Sequence, residues 1–205
     1  MPLHSVLLTN GDIDHVAGLL ILREMQPFTI FATAGIHEIL SENPMFAALN
    51  ASVVARRTIT LNVPTEIAPG LMATLFPVPG KVPLYLEGDV VDTELVGEQT
   101  VGVHWQADGQ DAYYIPGCAK LSDDLRDRLR NAALVFFDGT LWRDDEMVRA
   151  GLGSKTGKRM GHMSMSGDDG SIAAFADLNV GKRVFVHMNN TNPVLRPDSE
   201  ERAKA

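Results

Sequence analysis

The chain has 205 residues, 45% of them apolar, and a formal net charge of −8. That length and apolar fraction describe one ordinary folded domain over residues 1–205 with a substantial core, not a disordered chain. The acidic balance speaks against a nucleic-acid partner, and no run reaches the roughly 20 apolar residues of a membrane span, so neither nucleic acid nor membrane is expected as a partner.

Val6-Leu7-Leu8 reads as a short buried strand, after which Asn10-Gly11 forces a turn. Val16 to Met25 carries the apolar spacing of a helix that Pro27 ends before the strand Phe28–Thr33, an order that predicts a parallel βαβ unit. Ile36 to Leu49 reads as a second helix, broken or bent around Asn43-Pro44. Short β runs follow, the clearest at Thr58–Leu61 and Leu71–Phe76. Thr100 to Gln106 and Ala112 to Ile115 flank Asp108-Gly109, a hairpin signal that makes them antiparallel neighbours.

Ser122 opens a helix through Arg130, with Asp123 and Asp124 in its first turn and arginines towards its end, as the helix dipole prefers. Ala133 to Asp138 is an apolar strand ending in an acid. Lys155 to Gly161 is a basic, glycine-punctuated loop, Gly170 to Leu178 a helix, and Arg183 to Met188 a last buried strand. The tail from Pro197 frays or ends in a short helix.

Asp12, Asp14 and His15 thereby fall on a strand-to-helix loop, where an α/β fold places its chemistry. A carboxylate beside an imidazole offers oxygen and nitrogen to one divalent ion, a set that suits zinc or iron. Equally, Asp14 could simply cap the helix that begins near His15. His187 ends a buried strand before the polar run Asn189-Asn190-Thr191-Asn192, which places it either at the mouth of a site or in a structural turn. His162 lies between Gly161 and Met163, where glycine allows close backbone approach to a ligand. Asp138 could orient a metal-bound histidine from behind or cap the next turn. His4, His37 and His104 read as surface or sheet positions without chemistry. Cys118, the single cysteine, reads as a small buried residue. It can form neither an internal disulfide nor a multi-cysteine zinc site, which fits a reducing compartment. The start Met1-Pro2-Leu3-His4 lacks the pattern of a signal peptide, so the cytoplasm is the default location.

The stretch Thr9-Asn10-Gly11-Asp12-Ile13-Asp14-His15-Val16-Ala17-Gly18 resembles the metal loop of the metallo-β-lactamase superfamily, Thr-His-x-His-x-Asp-His-x-x-Gly. Thr9, Asp14, His15 and Gly18 keep that form, while Asn10 and Asp12 replace the two leading histidines. In the superfamily's hydrolases those histidines hold the first zinc and the kept pair belongs to the second. The resemblance therefore implies one metal rather than two, and no bridging hydroxide.

Five co-linear motifs sharpen this. Leu8-Thr9 with Ile13-Asp14-His15, Tyr114-Ile115-Pro116-Gly117-Cys118-Ala119, Phe137-Asp138-Gly139-Thr140, Lys155-Thr156-Gly157 with Met160-Gly161-His162-Met163, and His187 with Asn189-Asn190-Thr191-Asn192-Pro193 together resemble the pyrroloquinoline quinone (PQQ) biosynthesis protein B family. The resemblance implies a metallo-β-lactamase-like αββα sandwich and a role in PQQ biosynthesis. The implied reaction is a non-haem, Fe(II)- and O2-dependent hydroxylation of the tyrosine ring in a Glu-Tyr-derived precursor, a small peptide-derived substrate. By position, Asp14, His15 and His187 become the iron ligands and catalytic residues. Two histidines and one carboxylate form a facial triad that leaves positions open for oxygen and substrate. His162 and Asn190 are assigned to substrate contact or proton handling, and Asp12 and Asp138 to support around the ligands.

Two other readings stay open: a zinc-dependent hydrolase of the parent superfamily, and a non-catalytic PQQ carrier or transport factor. The family's N-terminal portion, with the superfamily's first strands and a cysteine cluster for structural zinc, has no counterpart in these residues, nor has its C-terminal strand beyond Arg202. The sandwich is therefore expected to be incomplete at both ends and to expose sheet edges at Val6-Leu7-Leu8 or Val184-Phe185-Val186. Such edges could support a homodimer.

Overall fold

The structure, a computed structural model, describes residues 3–22, 24–83, 86–88 and 92–205. Among these residues, nine strands form two sheets. The first sheet is parallel and runs β1 (Ser5–Leu7), β2 (Phe28–Ala32), β3 (Val54–Thr58). The second runs β4 (Thr65–Ala68), β5 (Leu71–Pro77), β6 (Val101–Ala107), β7 (Gln110–Ile115), β8 (Leu134–Asp138), β9 (Lys182–Val186), antiparallel as far as β7 and parallel from β7 to β9. The expected strands at Val6 and at Val184 lie in β1 and β9, the outer strands of their sheets.

The sheets face each other through one apolar cluster: Ile30 and Phe31 of β2 pack with Ala73 and Leu75 of β5 and with Val101 and Val103 of β6. The same cluster takes in Ile36 and Leu40 of α2 (Ala34–Glu42), which covers the first sheet. Against the second sheet, Tyr113, Ile115, Val135 and Phe137 pack with Leu125 and Leu129 of α3 (Asp123–Leu129) and with Phe175 and Leu178. Helix, sheet, sheet, helix is the αββα order of the metallo-β-lactamase fold. Covering both faces of β2 and β8 explains why these two strands read as nearly continuous apolar runs.

Local chemistry sets several element boundaries. Thr33 caps α2, its hydroxyl accepting from the Ile36 N–H at 3.2 Å, and the Asn43-Pro44 break ends the helix before a 3-10 turn over Pro44–Ala48. Ser122 caps α3 in the same way through the Leu125 N–H. Asp108 and Gly109 adopt φ of 50° and 73°, the left-handed pair that a tight two-residue hairpin between β6 and β7 requires.

The structure corrects some expectations. The helix placed at Val16 to Met25 begins earlier, as α1 (Ile13–Val16), and continues as 3-10 helix over Ala17–Leu22. Asp12, not Asp14, stands at its N-cap, and Asp14 lies within the first turn, so the reading of Asp14 as a cap falls. The β run at Thr58–Leu61 is displaced upstream to β3, where Arg56 and Arg57 are exposed and break the apolar pattern. Helix α4 (Glu146–Arg149) was not anticipated. The basic loop contains a short helix, α5 (Gly157–Met160), capped by Thr156, and the helix read over 170–178 reduces to α6 (Ser171–Ala174). After a 3-10 turn at Pro193–Leu195, the tail ends in α7 (Glu200–Lys204).

Candidate metal centre

Two sheet ends meet at one cleft. The segment after β1 is tied to the second sheet by the Val101 N–H donating to the Thr9 carbonyl at 2.9 Å, with Asn10 bridged to Thr100. Gly11 makes the close turn possible, since a Cβ there would fall 2.7 Å from Ile39 Cγ2. Helix α1 then presents Asp14 and His15. From the other sheet comes His187, which follows β9 with φ of 56°. A non-glycine residue in this left-handed region costs about 1–2 kcal/mol, and the conformation turns the imidazole out of strand direction towards α1.

Three ligating atoms converge. His15 Nε2 lies 3.1 Å from His187 Nε2, His187 Nε2 lies 2.8 Å from Asp14 Oδ2, and His15 Nε2 lies 4.0 Å from Asp14 Oδ2. Ligands bound at about 2.1 Å to one ion stand roughly 3–3.5 Å apart, so the carboxylate and two imidazoles fit a single divalent ion. The charge state suits it as well. The hydrogen bond from His187 lowers the Asp14 pKa to about 2, and burial, followed by the neighbouring His187, lowers that of His15. An ionised carboxylate and neutral imidazole are the forms that bind metal.

Behind the trio lies a network around Asp138, a fully buried carboxylate at the end of β8. Its Oδ1 accepts from the Thr140 N–H at 3.0 Å and the Thr140 hydroxyl at 2.6 Å, and its Oδ2 from the Cys118 N–H at 2.9 Å and His162 Nδ1–H at 2.7 Å. Because the Thr140 hydroxyl spends its one hydrogen on the carboxylate, it accepts from His187 Nδ1, 2.8 Å away. That places a proton of His187 on Nδ1, so a metal ion that displaces the Nε2 proton shared with Asp14 would find Nε2 already aimed at Asp14 and His15. Desolvation of Asp138 is outweighed by the charge and hydrogen bonds of His162 and Thr140, so its pKa is lowered. The pKa of His162 is raised: burial lowers it, and the charge and hydrogen bond of Asp138 more than restore it. Asp138, His162 and His187 also lie close enough to share an ion. Asp138, however, already accepts four hydrogen bonds, which makes this second group a scaffold for His187 and His162.

Asn10, Asp12, Asp14, His15, Lys81, Glu87, Lys155, Met160, His162 and His187 line a cleft of about 190 Å³. Asp12 faces Lys81, with 3.8 Å between Oδ1 and Nζ. Asn190 does not join them: it sits exposed on the following turn, its N–H donating to Asn189 Oδ1. The asparagine of that turn with a structural task is Asn192, 1% exposed, which donates to the Gly139 carbonyl at 2.7 Å. Thr140 and Asn192 went unassigned in the sequence although both stand inside the motifs quoted above. Lys81, Glu87 and Arg159 carried no sequence signal beyond the basic character of 155–161. His4, His37 and His104 lie outside the cleft, and Cys118 is fully buried with its pKa pushed up, chiefly by burial.

Known proteins agree with this architecture. The model of the beta-lactamase superfamily domain matches residues 1–188. At 12% identity and a TM-score of 0.61, the metallo-beta-lactamase fold protein YhfI from Bacillus subtilis shares the fold. The zinc-bound PqqB from Methylobacterium extorquens superposes with a TM-score of 0.95 at 56% identity, over 98% of this chain and 67% of that one. Coenzyme PQQ synthesis protein B from Ruegeria pomeroyi is 58% identical over 203 residues, 99% of this chain and 68% of its own length, and its namesake from Rhizobium meliloti is 52% identical over 205 residues. The fold and the matched domain thus define a member of the β-lactamase superfamily. Within it, the chain belongs to the coenzyme PQQ synthesis protein B family.

Proposed function

We propose that the chain takes part in PQQ biosynthesis as a single-metal oxygenase that hydroxylates the tyrosine ring of a Glu-Tyr-derived precursor. The observation that carries this reading is the trio of Asp14, His15 and His187 on one side of the cleft, with Asn10 and Asp12 where a two-metal hydrolase needs histidines. Fe(II) bound there would supply activation of O2 at positions the protein leaves open. Ring hydroxylation consumes one O2 with two electrons and two protons from an external reductant and releases water.

The chain's own residues bind, orient and move protons. Asp138 and Thr140 fix the tautomer and plane of His187, so its Nε2 always faces Asp14 and His15. His162, anchored through Nδ1 to Asp138, keeps its other nitrogen for a proton of the phenol or of an adjacent ring carbon. Asp138 raises its pKa against the effect of burial, which favours the proton-bearing form.

A second reading, a zinc-dependent hydrolase, draws on the zinc bound to the M. extorquens relative. One experiment separates the two: protein purified without oxygen, loaded with Fe(II), is given O2, a reductant and a tyrosine-containing dipeptide. Mass spectrometry showing one added oxygen supports the oxygenase. Folded, loaded protein that adds no oxygen but cleaves phosphodiesters or lactams supports the hydrolase.

A further inference from the structure

At the cleft that holds the trio, three cations gather on one carboxylate, two of them, Lys81 and Lys155, lining the cleft and the third, Arg159, beside it. Arg159 Nη2 and Lys155 Nζ lie 2.9 and 3.3 Å from Glu87 Oε2, and Lys81 Nζ lies 3.1 Å from Glu87 Oε1. Lys81 also faces Asp12 at 3.8 Å. Among the described residues, the three cations Lys81, Lys155 and Arg159 stand against the two carboxylates Glu87 and Asp12, a local surplus of one positive charge beside the cleft; the third carboxylate of the cleft, Asp14, faces the two histidines instead. Holding Glu87 in place needs one partner, and each extra cation drawn from water costs desolvation that only an anion offsets.

The side chains divide by exposure. Those of Glu87 and Lys81 are 7% and 10% exposed, a locked base, whereas those of Lys155 and Arg159 are 40% and 39% exposed. The fold provides for the base as well. Gly161 adopts φ of 82°, and a Cβ there would fall 3.1 Å from Lys81 Cγ, so glycine is what lets the lysine stem pass beneath α5. The cleft, at about 190 Å³, is smaller than the roughly 300–1,000 Å³ of sites that swallow a whole small molecule. It accepts one end of a ligand and leaves the remainder at the rim.

We propose that Lys155 and Arg159, set in place by Lys81 and Glu87, form a carboxylate-recognition subsite that holds an acidic end of the substrate while its ring faces Asp14, His15 and His187. The guanidinium fork of Arg159 matches a carboxylate, and Glu87 aligns the fork before the ligand arrives. The substrate half of this proposal rests on the oxygenase reading above. The subsite itself is testable without turnover.

Calorimetric titration of the zinc-loaded protein with glutarate provides that test. R159Q and K155Q are each expected to weaken glutarate binding about tenfold, the scale of a charge-assisted hydrogen bond. K155Q alters a side chain 40% exposed and retains the test if R159Q fails to fold. Equal glutarate affinity in the wild type, R159Q and K155Q overturns the proposal. The two readings fail separately. Discrimination of glutarate without oxygenation of a tyrosyl dipeptide keeps the subsite and sinks the oxygenase. Oxygenation with unchanged KM in R159Q and K155Q does the reverse.

Discussion

The Thr140 hydroxyl stands between two groups, 2.6 Å from Asp138 Oδ1 and 2.8 Å from His187 Nδ1, so a single side chain carries the orientation of a fully buried carboxylate to the imidazole that faces the cleft. T140V keeps the shape and removes the relay. Metal Kd is expected to rise about 10–100-fold, as for other groups that orient ligands. Competition with a chromogenic chelator measures it, and an unchanged Kd contradicts the assignment.

Removing a ligand goes further. His15 contributes Nε2 from α1 and His187 contributes Nε2 from beyond β9, neither belonging to the apolar core clusters. H15A and H187A are each expected to abolish stoichiometric Fe(II) binding while circular dichroism stays native. Full iron occupancy in either variant would sink the proposed ligand set.

Backbone space gives a third prediction. A Cβ at Gly139 would fall 2.9 Å from Phe185 Cβ and 3.0 Å from the Val186 carbonyl oxygen, so G139A must push β8 and β9 apart where Asp138 and His187 leave them. Overpacking of this kind costs about 1–3 kcal/mol. Both a lower Tm and weaker metal binding are expected. A drop in Tm with metal affinity intact would mean the strain is absorbed away from the site.

Acid stability follows from Glu87. Its hydrogen bond from Arg159, with those from Lys81 and Lys155, lowers its pKa from 4.5 to about 2. A carboxylate depressed in the folded state binds fewer protons folded than unfolded, so its contribution is present above pH 4.5 and is lost as pH falls towards 2. E87Q is expected to lower stability at pH 7 and to flatten the decline over that acid window. Denaturant titrations from pH 2 to 7 read both effects, and parallel curves for wild type and variant would rule the ion cluster out as a source of stability.

Legibility in the sequence tracked the range of the interactions involved. The Asp108-Gly109 hairpin and the Ser122 cap act within a few residues, and both could be read directly. The helix after β1 was misplaced because Asp12 caps it through backbone geometry without a side-chain bond, and Asp14 looked the better cap. The grouping of Asp14, His15 and His187 came from the family resemblance; the residues alone showed only that each follows an apolar run, with a cap or a structural turn as the alternative. Thr140, Asn192, Lys81 and Glu87 were not legible, since each role needs at least one partner between 6 and 72 positions away that no local pattern encodes.

His15 and His187 meet across a sequence separation of 172, one beyond the outer strand of the first sheet and the other beyond the outer strand of the second. A ribosome adding 5–20 residues per second exposes the aspartate–histidine pair about 9–34 seconds before the last imidazole is made. During translation the growing chain therefore holds only two of the three groups, and the complete pocket is a property of the finished polypeptide.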